Sequence, residues 1–162
     1  MNAAHWHLAI NHLPVVGVFF AACLLGFALL RNRAELYGVC LGAFVALAVL
    51  TVPVYLTGGR AENFLMEEAP DLDEALVSTH ETAATVAFIG VGVLGVVALA
   101  GLWLGRKAAV VPRALAVAVF LLALAVSVLF GRAANLGGHI RHPETRPANP
   151  AAAVAPAKDK HE

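Results

Sequence analysis

Thr79–Leu104 reads THETAATVAFIGVGVLGVVALAGLWL and stops at Gly105-Arg106-Lys107. A helix needs about 20 apolar residues to cross a bilayer, and this run is long enough. Three more blocks match it. One runs from about Leu8 to Leu30 and stops at Arg31-Asn32-Arg33, one from about Glu35 to Leu56, and one from about Val110 past Phe130 to Asn135. The expected fold is therefore all-α: an integral membrane four-helix bundle with helices at about 8–30, 35–56, 79–104 and 110–135, forming one domain over 1–142. The polar Gly58–Ser78 stretch separates helices two and three. From Pro143 a Pro/Ala-rich tail begins that cannot build a core and is expected to be disordered.

Composition agrees. Of the 162 residues 60% are apolar and 14% charged, far from the globular average of about half and a quarter. The net charge is zero, which gives no reason to expect nucleic acid as a partner. The two short loops carry Arg31, Arg33, Arg106, Lys107 and Arg113, so the positive-inside rule makes their side cytoplasmic and puts both termini outside. No Lys or Arg precedes the first block, so it does not read as a cleaved signal peptide. Cys23 and Cys40 read as small core residues rather than a disulfide. Gly38-x-x-x-Gly42 and Gly101-x-x-x-Gly105 are spacings that let membrane helices approach closely. Ser78-Thr79-His80-Glu81 fits a capping box with Ser78 as N-cap, Asn11 is a candidate N-cap with Pro14 in the first turn, and Glu62–Leu76 fits a short amphipathic surface helix.

The histidines are the informative feature. His5, His7 and His12 begin helix one, His80 begins helix three, and His139 and His142 follow helix four. All six fall on the outer side; His161 lies in the tail. At 1.5 Å per residue, His12 stands about 27 Å from Leu30 and His80 about 36 Å from Leu104, both near the edge of a core about 30 Å thick. His139 and His142 reach the same level if Gly137-Gly138 lets the chain turn. Imidazoles from different helices at one depth suit haem iron, with Arg60, Arg132 and Arg141 placed to meet propionates. His12 and His80 stand out because each begins a helix. His7 and His12 are five residues apart, about 140° around a helix, and do not serve one iron if both are helical. The same groups with Glu81 could instead hold zinc or copper, or the histidines could simply be solvated interface residues of a cofactor-free anchoring subunit. No nucleophile with a His/Asp arrangement and no phosphate-binding glycine loop is present, so hydrolytic chemistry is not expected.

His7-Leu8-Ala9-Ile10-Asn11-His12-Leu13-Pro14 resembles the first-helix signature His-Pro-x-x-Val-His-Phe-Pro of a bacterial family of four-helix membrane proteins of unknown function. The resemblance extends to Thr57-Gly58, to His80 and to Leu136-Gly137-Gly138-His139-Ile140-Arg141-His142. Leu8 and Leu13 stand where the signature has Pro and Phe. The segment before the last histidine is shorter than in many relatives, which leaves His139 as a substitute for His142. The resemblance implies haem b, with His7, His12, His80 and His142 marked as ligands, and six outer histidines would suffice for one haem or two. Fusions of some members to Rieske-type iron–sulfur domains imply electron transfer with a redox partner or complex subunit on the outer face of a bacterial inner membrane. On this reading the chain is an electron-transfer protein rather than an enzyme by itself, and a homo-oligomer is compatible with it.

Overall fold

The computed structural model describes residues 3–69, 72–108 and 110–146, and no strand occurs among them. The helices are α1 (Ala3–Ile10), α2 (His12–Leu30), α3 (Glu35–Glu68), α4 (Glu74–Ala108) and α5 (Arg113–Arg141), followed by a 3₁₀ turn, Pro143–Thr145. Four spans are long and apolar enough to cross a membrane: His5–Leu30, Glu35–Glu68, Glu74–Arg106 and Arg113–Arg141. The chain is a multi-pass membrane protein. α2 and α4 each pack against both α3 and α5, which closes a ring of four, and α1 packs on α3.

The core is a set of seams with alternating steps of three and four residues. In α2 the buried positions are Pro14, Val18, Ala21, Leu25 and Ala28. In α3 they are Tyr37, Cys40, Phe44, Leu47, Thr51 and Val54. In α4 they include Ala87, Val91, Leu94 and Ala98, and in α5 Ala116, Val119, Ala123, Val126, Phe130 and Ala133. A 3.5-residue average keeps one seam facing its neighbours and favours left-handed bundle packing. The opposite faces are as apolar as the core. Phe20, Leu30, Val96 and Val128 are 66–84% exposed, a surface suited to acyl chains rather than water.

Small residues set a close contact between α3 and α4. A Cβ built on Gly95 would lie 2.6 Å from the Ala48 Cβ, so α3 and α4 approach there as only glycine permits. Gly101 accepts Leu41 in the same way, whereas Gly38 and Gly42 face open space. The α3 glycine pair thus plays no part in packing within the described chain.

Three helices are longer than their apolar runs. α3 continues through Pro53 to Glu68, because Ala61, Glu62, Leu65, Met66 and Glu67 are good helix formers and nothing breaks the run before Pro70. α4 begins five residues ahead of the expected start. Asp73, not Ser78, caps it, its Oδ1 accepting the Ala75 N–H at 2.9 Å. The Glu62–Leu76 stretch is therefore the end of α3 and the start of α4 rather than a separate surface helix. α5 runs straight through Gly137-Gly138 to Arg141, and none of the described glycines has a positive φ, so the expected turn is not made. Asn11 is itself in helical conformation and caps nothing with its side chain. The break beside it follows from Pro14, which has no N–H for the carbonyl of Ile10. Cys40 is buried but Cys23 is exposed, and both thiols are free.

At one end Arg113 donates to the Asn32 side chain, tying the two short loops together. Asn32 has φ 53°, a left-handed conformation asparagine tolerates. At the other end the chain folds back after α5, with Arg146 Nε donating to the His139 carbonyl at 2.8 Å. The tail from residue 147, with His161, lies outside the described residues.

Candidate functional site

The seams continue beyond the apolar core at the histidine end. Stepping back from Pro14 by three and then four residues gives Asn11 and His7. Stepping back from Ala87 gives Ala84 and His80. Four residues past Val54 comes Gly58, and four past Ala133 comes Gly137. Each seam histidine meets one of these glycines. A Cβ built on Gly58 would lie 3.5 Å from His7 Cε1, and one on Gly137 only 3.0 Å from His80 Cε1. The two rings are packed on bare backbone.

Both rings are anchored alike. His7 Nδ1 donates to the Val54 carbonyl at 3.1 Å, with Thr57 Oγ1 at 3.3 Å. The Thr57 hydroxyl donates to the carbonyls of Pro53 and Val54, both at 2.9 Å, which leaves its lone pairs toward the ring. His80 Nδ1 donates to the Ala133 carbonyl at 2.9 Å. A carbonyl can only accept, so each neutral imidazole carries its proton on Nδ1 and keeps the Nε2 lone pair. Ligating imidazoles are oriented by this second-sphere arrangement, which also raises their basicity. Both residues are half-buried.

The remaining expected residues are not brought together with this pair. His12 is exposed, and its Nδ1 donates back across the α1–α2 break to the Leu8 carbonyl at 3.1 Å. α1 is helical from Ala3, so His7 and His12 point to different sides, as their spacing implied. His139 is half-buried, its Nε2 3.4 Å from Asn135 Nδ2. His142 is exposed and donates to Glu144 at 2.9 Å. His5 and Glu81 are exposed. Arg60, Arg132 and Arg141 are exposed too and make no ion pair among the described residues. Among those residues no three of His, Cys, Asp and Glu are grouped to hold a metal ion, so the His/Glu81 zinc or copper set has no geometric support.

Sequence reasoning gives Asn11 as an N-cap first and a site residue second, and misses that its buried amide oxygen, one turn inside His7 on the same seam, is left without a partner. It also misses the anchoring carbonyls, which carry no side-chain signature. The seam register, extended outward from the apolar core, would have separated His7 from His12.

No family model matches the chain, and neither a curated protein nor a solved structure does.

Proposed function

We propose that this protein is a membrane-bound b-type cytochrome subunit in which His7 and His80 hold one haem. The observation that carries the reading is the paired anchoring. Two imidazoles from different helices each commit Nδ1 to a backbone carbonyl, each lie against a glycine, and each keep Nε2 for a ligand. Two nitrogen donors without a third protein ligand would suit a haem better than a tetrahedral metal site. When bound, the haem supplies one-electron exchange.

The chain's own residues do the rest. The carbonyls of Val54 and Ala133 fix the ring tautomers and make Nε2 more basic, which favours the oxidised iron. Gly137 leaves room for the His80 ring, which a Cβ there would crowd, while His7 sits at ordinary contact distance from Gly58. The apolar seams below exclude water. The exposed Arg60 and Arg141 stand at the same end and are available to carboxylates. Positive charge on the two short loops supports an orientation with the histidine end outward, where a redox partner would exchange electrons in a bacterial inner membrane. The first-helix resemblance supports a haem and marks His7 and His80, though it marks His12 and His142 as well, which this reading leaves out.

The test is a reduced-minus-oxidised visible spectrum of protein purified in detergent after expression with ample haem. Sharp low-spin α and β bands are expected in the wild type and in His12→Ala. They are expected to disappear in His7→Ala and His80→Ala while far-ultraviolet circular dichroism stays helical. Full haem in both of the latter variants would end the assignment, and a featureless wild-type spectrum from helical protein would favour the anchoring subunit.

A further inference from the structure

A second site lies on the outside of the α4–α5 seam, away from the histidine pair. A groove of about 270 Å³ runs between Ser78, Thr82, Ala83 and Val86 of α4 and Leu129 and Arg132 of α5. On α4 the lining residues form two adjacent rows, Ser78, Thr82 and Val86 in one and Thr79 and Ala83 in the other, on one face of the helix, whereas His80 lies on the inward seam. The floor is apolar and faces lipid. The rim carries hydroxyls and a guanidinium.

Depth identifies what the guanidinium meets. Arg132 stands nineteen residues after Arg113 in one unbroken helix, about 28 Å along the axis at 1.5 Å per residue. That is the thickness of a hydrocarbon core of about 30 Å. With Arg113 at one boundary, Arg132 sits at the other, at the level of the lipid phosphates, and a long side chain at this depth reaches for the headgroups. It forms no ion pair with the described residues. An unpaired guanidinium beside hydroxyls binds phosphate oxygens by charge-assisted hydrogen bonds, and basic pockets between membrane helices take anionic headgroups. The groove is smaller than the about 300–1,000 Å³ of sites that enclose a drug-sized ligand. It therefore fits a molecule seated along one side, with the rest in the bilayer.

We infer that this groove is a binding site for an anionic phospholipid, its phosphodiester on Arg132 and the Ser78 hydroxyl and the start of one acyl chain along Ala83, Val86 and Leu129, while the Thr82 hydroxyl stays committed to the Ser78 carbonyl at 2.9 Å. The site does not depend on the haem reading, since it shares no residue with the histidine pair.

Native mass spectrometry and thermal unfolding in neutral detergent test it, with phosphatidylglycerol, phosphatidylcholine, diacylglycerol and inorganic phosphate added separately. Phosphatidylglycerol should be retained and should raise the unfolding midpoint more than the other three. Arg132→Gln should weaken its apparent affinity about tenfold. Ala83→Phe, which fills the floor and keeps the charge, should also weaken it. Arg33→Gln, at the far end of the bundle, should not. Equal retention of phosphatidylglycerol by wild type and both groove variants would overturn the inference. Diacylglycerol or phosphatidylcholine binding as tightly as phosphatidylglycerol would do the same, since the charge would then be irrelevant. The full effect from inorganic phosphate alone would assign a free-anion site instead.

Discussion

Adjacent glycines in α5 give a controlled experiment on the packing of His80. Gly137 and Gly138 both lie in regular helix. Gly137 stands about 36 Å along the helix from Arg113 by the 1.5 Å rise, outside the hydrocarbon, so propensities measured in water apply. Replacing a mid-helix glycine by alanine stabilises by about 1 kcal/mol. At Gly138 a Cβ meets nothing within 4 Å, so Gly138→Ala should deliver that gain. At Gly137 the new Cβ would lie 3.0 Å from His80 Cε1 and 3.2 Å from Nδ1. The ring must give by a few tenths of an ångström, away from the Ala133 carbonyl that holds it at 2.9 Å. Losing that hydrogen bond costs about 0.5–1.5 kcal/mol and cancels the helix gain. Gly137→Ala should therefore be near neutral in the cofactor-free protein, about fivefold less folded at a matched denaturant concentration than Gly138→Ala. On the haem reading it should also hold haem less tightly. Unfolding in mixed micelles, followed by circular dichroism, measures the difference. Equal stabilisation by the two substitutions would show that His80 does not rest on Gly137, and would remove a support for the site.

Gly95→Ala should destabilise the bundle by about 1–3 kcal/mol, because its Cβ would lie 2.6 Å from that of Ala48, while Gly42→Ala, facing open space, should not; the same unfolding assay would contradict the α3–α4 contact if the two variants behaved alike. Asn11→Leu removes a buried acceptor that has no partner and should stabilise the cofactor-free protein by about 1–3 kcal/mol; a loss of stability would mean that the amide is hydrogen-bonded after all. The Glu144 carboxyl is held below its usual 4.5, first by its own backbone amide and then by His142. A depressed acid supports the folded form above its unfolded value and loses that support as pH falls through the folded one. Protection of the Thr145 amide, which donates to the His142 carbonyl at 3.0 Å, should therefore fall on acidification below about 4.5 after correction for intrinsic exchange, and unchanged protection would refute the role given to Glu144.

The four spans were legible because a lipid-facing helix is apolar all round and its length is set by the bilayer. Their ends were not. Glu35–Leu56 is bounded by where apolarity stops, but α3 runs on to Glu68, since helix formation in water depends on propensity and caps. Ser78 looked like a cap because Glu81 follows three residues later, yet Asp73 lies upstream and accepts the Ala75 N–H. Gly137-Gly138 suggested a turn by composition, while the structure uses Gly137 for a neighbour's ring. The histidine end was legible as a level, from residue counts alone. Which ring faces inward was not, because that depends on seam register across helices. His12 begins the longer helix but points out, and His7 points in.

The lengths of α3 and α4 have a mechanical consequence. At 34 and 35 residues each is about 51–52 Å long by the 1.5 Å rise, against a core of about 30 Å. Both begin or end beside the short loops that Asn32 and Arg113 tie together, so the excess of about 20 Å projects from the histidine end as a paired mast. Between Gly58 and Ser78 its sequence carries six acids and one arginine. That balance makes the tip net negative, so anionic headgroups would repel it. Its field decays over about 8 Å at physiological salt, and a basic molecule arriving from solution meets it before it meets the bilayer.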